Sequence, residues 1–189
     1  MKSIIKIVVL AIIGFAIIVY LTLPNNFTNK NTNEQINLDT IPKYYEVVNG
    51  NPYTKLEELF KLGEEKYIIV LNHDSLAVFK ELYKKTDKNI IFVANISNTP
   101  WIIKQMAVNG ELEKMYKVSK IPLINDSDGS FINALNLNDN QQNRYFVFKL
   151  DKEGNIHKIL QDSVKLGALE RGLSEKEFEE ELNKILKNL

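Results

Sequence analysis

Cysteine is absent from all 189 residues, which excludes disulfides, thiolate metal sites and every mechanism built on a sulfur nucleophile. An excess of either charge is missing as well. The 24 Lys and Arg face 24 Asp and Glu, spread along the chain without blocks, so the electrostatic footprint of a nucleic-acid binder is lacking. Neither G-x-G-x-x-G nor the Walker pattern occurs, which removes the familiar glycine-rich phosphate cradles. No internal repeat is visible. A chain of this length is expected to hold one well-cored domain plus an appendage.

The chain is richest in apolar residues near its start. Ile4 to Leu23 reads IIKIVVLAIIGFAIIVYLTL, with Lys6 its only charge. About 20 apolar residues rising 1.5 Å each cover the ~30 Å hydrocarbon core of a bilayer. The alternative is a cleaved signal peptide, whose apolar core is usually about 7–15 residues and ends at a small-x-small site. Here the run is longer and ends in Tyr20-Leu21-Thr22-Leu23-Pro24. Lys2 and Lys6 precede it, and the positive-inside bias then keeps the N-terminus in the cytoplasm.

The expected organisation is a cytoplasmic stub and transmembrane anchor over 1–24, a flexible tether over 25–43 and a folded domain over 44–189. The tether is mainly Asn, Thr, Gln and Lys, too polar to offset its own ordering entropy. The abundance of Lys, Asn and Ile reads as the imprint of an AT-rich bacterial genome. The expected location is therefore the bacterial inner membrane, crossed once, with the domain in the periplasm.

Within the domain, Thr54-Lys55-Leu56-Glu57 has capping-box spacing and predicts a short helix that Gly63 can stop. Tyr67 to Leu71 and Ile90 to Ala94 are wholly apolar, β-rich runs, the pattern of central strands buried on both faces. Between them Leu76, Phe79, Leu82 and Tyr83 recur at helical spacing as far as Lys88, which makes a βαβ unit with parallel strands. Thr99-Pro100 predicts a helix start, with Trp101, Ile102 and Met106 and then Leu112, Met115 and Tyr116 as its contacts and a break at Asn109-Gly110. Ile121 to Ile124 reads as a short edge strand before the Asp126-Ser127-Asp128-Gly129 turn. Tyr145 to Leu150 and Asn155 to Leu160 flank Asp151-Lys152-Glu153-Gly154 as a hairpin. A second capping box, Ser174 to Glu177, opens a closing amphipathic helix.

That order of elements resembles a thioredoxin-like domain, an α/β fold with a mixed central sheet flanked by helices. It is nearest in layout to the peroxiredoxin and TlpA-like branch and to the cysteine-poor YtfJ-like periplasmic proteins. The residues that carry the resemblance are Lys66 to Asn72, Ile121 to Asp126 with Gly129, and Tyr145 to Gly154. Two departures fall on the face that does chemistry in that superfamily. Where a Cys-x-x-Cys would stand there is Asn72-His73-Asp74-Ser75, and where a cis-proline would precede the hairpin strand there is Asn143-Arg144. The resemblance thus implies a degenerate member, without thiol–disulfide exchange and without a cofactor, whose old active-site face of Asn72, His73, Asp74, Ser75, Asn143 and Arg144 serves as a binding face for a protein partner.

Other chemistry is weaker on the residues. His73-Asp74-Ser75 contains the residue types of a hydrolytic triad, but successive side chains diverge and cannot relay a proton from one to the next. Asp74 or Ser75 is expected to cap the following helix, leaving His73 exposed. A metal would have to use His73 with Asp74, or His157, or the acidic turn from Asp126 to Asp128, which misses EF-hand spacing. The rival to a binding module is a cysteine-independent enzyme. It requires a concave pocket with convergent polar groups, lined by His73 and Arg144.

Overall fold

The computed structural model describes residues 2–21, 35–99, 104 and 108–189. Helix α1 spans Lys2–Leu21. Among the described residues no helix is long and apolar enough to cross a membrane. Four consecutive side chains, Ile7 to Leu10, stand 100° apart around α1 and so sample its whole circumference, and each is 47–67% exposed.

The domain is built on a five-stranded sheet of β3 (Lys66–Leu71), β4 (Ile90–Asn95), β5 (Leu123–Asp126), β6 (Arg144–Leu150) and β7 (Ile156–Ser163), in the order β5-β4-β3-β6-β7. The pairs β3–β4 and β4–β5 are parallel, whereas β6 runs antiparallel to both β3 and β7. The two apolar runs read as central strands are central. Their alternation divides the core, because successive strand residues point to opposite faces. Ile69, Leu71, Phe92, Tyr145 and Val147 go to one cluster, and Ile68, Val70, Ile91, Val93 and Phe146 to the other.

The first face carries α3 (His73–Phe79), α4 (Asn109–Met115), α6 (Ala168–Arg171) and α7 (Glu175–Leu186), which supply Leu76, Phe79, Leu112, Ala168, Leu182 and Ile185. The second face is covered by α2 (Leu56–Leu59) and α5 (Ser130–Ala134), with Ile41, Tyr45 and Phe60 beside them. A two-stranded pair, β1 (Tyr44–Tyr45) with β2 (Thr54–Lys55), leads into α2.

Residues 36–48 form a strap. It enters at the β6–β7 turn, where the Leu38 N–H donates to the Gly154 carbonyl and the Ile156 N–H to that of Ile36. It ends against β5, where the Asn125 N–H donates to the Glu46 carbonyl and the Val48 N–H to that of Leu123, so the β5 edge is partnered. Residues 35–43, inside the expected tether, are therefore engaged with the domain, and the remainder of that tether, 25–34, lies outside the described residues.

Several expectations are corrected. The cap of α2 sits one residue late: the Lys55 N–H donates to Glu58 Oε1 at 3.0 Å, while the Thr54 hydroxyl turns back to the Asn51 carbonyl. The helix expected to reach Lys88 ends at Phe79, and a single 3-10 turn, Leu82–Lys84, continues its apolar face. The edge strand lies two residues later than Ile121–Ile124. Asn109 begins a helix rather than breaking one, and the expected start at Thr99-Pro100 with Trp101, Ile102 and Met106 lies outside the described residues beyond Thr99. The closing helix is capped as read, with the Glu177 N–H on Ser174 Oγ and the Ser174 N–H on Glu177 Oε2.

Candidate functional site

Asn72 and Asn95 stand immediately beyond Leu71 and Ala94, which are register partners at the carboxyl ends of two parallel strands. In open α/β sheets that edge is where ligands bind. The two amides meet, Asn95 Nδ2 donating to Asn72 Oδ1 at 2.8 Å. Asn72 spends its own N–H groups on the carbonyls of Asp139 and Gln141, and Ser97 Oγ donates to Asn95 Oδ1. Above this satisfied floor opens a cleft of about 390 Å³. It is lined by Asn72, His73, Asn95, Ile96, Asn98, Thr99, Asn140, Gln142 and Glu170.

Asp74 is fully buried beneath it. Its carboxylate does not cap α3, as the sequence suggested. Instead it accepts from the Gly167 N–H at 2.7 Å and the Leu169 N–H at 3.2 Å, closing the first turn of α6 from 93 residues away in sequence. Gly167 suits this turn, because its φ of 77° lies in the left-handed region open to glycine. Ser75 does not cap α3 either: its hydroxyl, buried, donates to the Asn72 and Arg144 carbonyls at 2.7 and 3.1 Å. The Asp74 N–H is taken by the Gln142 carbonyl, so the free helical N–H groups expected at this face are not all free.

Of the six residues read as a binding face, only Asn72 and His73 line the cleft. Asp74 and Ser75 lie under it. Asn143 is paired with Val164 through both backbone and side chain. Arg144 Nε bonds Gln141 Oε1 at 3.1 Å and lies 3.5 Å from Asp139, away from the cleft. The cleft is lined by His73 without Arg144, so it is not the jointly lined pocket that the cysteine-independent enzyme would require. No peptide bond among the described residues is cis. What sequence reading missed were Asn95, Asn98, Thr99, Asn140, Gln142 and Glu170. The available signal was the second polar residue directly after an apolar strand run, Asn95 echoing Asn72.

The other chemical candidates are structural. His157, exposed, bonds Asp151 at 3.2 Å. In the acidic turn, Asp126 accepts from the Phe131 and Ile132 N–H groups, both at 2.9 Å, and Asp128 accepts from that of Ser130. Among the described residues no group of three or more His, Asp or Glu could hold a metal ion.

Burial pushes the Asp126 carboxyl up to about 6, against the pull of those two N–H groups. Its value in the unfolded chain is 3.8, so the folded state holds the proton more tightly, and the stability this residue contributes is full below about pH 4 and lost as pH rises through about 6. At 1.36 kcal/mol per unit this amounts to about 3 kcal/mol. In urea titrations, the stability of the wild type relative to Asp126→Asn should fall by that order between pH 4 and 7, whereas parallel pH profiles would refute the assignment.

A βαβ unit, an antiparallel hairpin beside its first strand and a closing helix against α3 define a thioredoxin-like α/β fold. Its structural neighbours are peroxiredoxin and DsbF-type proteins of that fold. Peroxiredoxin Q of Xanthomonas campestris is 15% identical with a TM-score of 0.47, over 83% of this chain and 96% of that one. DsbF of MTB is 16% identical at 0.40, over 77% and 98%. The mitochondrial 2-Cys peroxiredoxin of Plasmodium falciparum is 17% identical at 0.36, over 87% and 92%. These overlays carry no argument about activity. No protein-family model matches the chain, and no curated protein sequence matches it.

Proposed function

We propose that this chain is a membrane-anchored binding module, a thioredoxin-like domain without redox chemistry, held at the bacterial inner membrane with its domain in the periplasm. Support for the anchor is α1 itself, since a helix that is apolar all round needs either a protein interior or a bilayer, and Ile7 to Leu10 are uncovered. The chain enters the domain at the β6–β7 turn, and the cleft lies at the opposite end of β6. Seven strand residues set the two ends about 20 Å apart.

The observation that carries the binding reading is the use made of Asn72, Asp74 and Ser75. All three are committed to bonds within the fold, and Ser75, a would-be nucleophile, donates its proton to carbonyl oxygens. What is left is an open polar cleft in which no activated nucleophile stands among the described residues. The cysteine-independent enzyme is the weaker alternative on the same ground.

The test places a photocrosslinking residue at His73, at Asn140 or at Lys158, exposed on β7, in the full chain expressed in its membrane. Crosslinks to one discrete species are expected from His73 and Asn140 but not from Lys158, and protease added to intact spheroplasts should digest the domain. Equal labelling from all three sites would sink the cleft reading, and full protection from protease would sink the topology.

A further inference from the structure

We infer that the cleft selects a cationic, donor-rich group, a guanidinium or primary ammonium, and that buried Asp74 gives it this preference; the inference rests on the cleft being the binding site. His73 Nδ1 and Gln142 Nε2 lie 3.6 and 3.5 Å from Asp74 Oδ1. Gln142 Nε2 donates to that buried carboxylate, which leaves the Gln142 side-chain oxygen as an acceptor for the cleft.

Glu170 adds a carboxylate. Among the described lining residues it is the one Asp, Glu, Lys or Arg. Cations nearby are spoken for: Arg144 by Gln141 and Asp139, Arg171 by the Leu166 carbonyl. Lys104, behind Ser97, is buried on the Ser97 and Ser127 carbonyls with Asp126 and Asp128 as its countercharges. An anion entering here would meet the Glu170 carboxylate with no lysine or arginine among the described lining residues to offset it. A guanidinium, which carries five donors and no acceptor, would find acceptors in Glu170, in Gln142 and in the side-chain oxygens of Asn98 and Asn140.

The experiment uses the full chain in nanodiscs, with side-chain amide NMR signals of Asn98, Asn140 and Gln142 as reporters. The probes are agmatine, Ala-Arg-Ala, Ala-Glu-Ala and glucose. Saturable shifts are expected with agmatine and Ala-Arg-Ala, weakened about fivefold by Glu170→Gln and further by salt. Comparable affinity for the two cations would indicate a free amine as ligand, and a clear advantage for the peptide would indicate a basic side chain of a partner. Preference for Ala-Glu-Ala or glucose, or no shift with either cation, would overturn the inference. The crosslinking at His73 and Asn140 is independent of charge, so its outcome separates failure of cation selection from failure of the cleft.

Discussion

Asp74→Ala should lower the stability of the folded domain by about 3 kcal/mol, a fall of roughly 6–12 °C in Tm for a body of this size. The carboxylate is fully buried and accepts from Gly167 and Leu169. Removing it strands two backbone N–H groups, that of Gly167 buried and that of Leu169 partly so, each costing about 1–3 kcal/mol where burial is complete. Asp74→Asn keeps one oxygen acceptor and should lose about half as much. His73→Ala, one residue away but with its side chain 51% exposed, should stay within about 0.5 kcal/mol of wild type. Equal Tm values for Asp74→Ala and His73→Ala would show that the carboxylate is not holding α6.

The same residue shows where the sequence stops being legible. The capping preference of Asp was read correctly as chemistry and assigned to the wrong helix, because the N–H groups it satisfies lie 93 and 95 positions downstream. Local reading works where the partner is local, as with Ser174 and Glu177 three apart, or where a wholly apolar run leaves a strand no alternative to burial, as with β3 and β4. It fails for the strap, the first part of which was read with the polar tether and whose order comes from the β6–β7 turn and the β5 edge. It fails likewise for the cleft, whose lining gathers residues from 72 to 170, several of them from turns that carry no periodicity. The lack of a thiol was fully legible, since it needs only a count of one residue type. The hydrogen-bonded floor around Asn72 was not, because Asn72 finds its partners 23, 67 and 69 residues away.

Phe79→Ala should be the more damaging change, about 4 kcal/mol, the range for truncating a fully buried aromatic. Phe79 closes α3, and its ring meets that of Tyr145 edge-on at 4.9 Å within the core cluster that also contains Leu76, Leu182 and Ile185. Seven residues are too few for a helix to persist on its own propensity, so α3 holds its place through this packing and through the Tyr116 hydroxyl donating to the Leu76 carbonyl at 2.7 Å. Truncation opens a cavity between the sheet and the closing helix, at the inner end of the element whose outer end sets Asn72 and His73. Phe79→Leu keeps most of the volume and should cost about 1.5 kcal/mol. Urea titrations read both: the midpoint should drop in that order while the slope stays constant. A loss below about 1.5 kcal/mol for Phe79→Ala would mean that α3 is held by its polar bonds to Arg144 and Gln142, and that the cleft floor does not depend on the core beneath it.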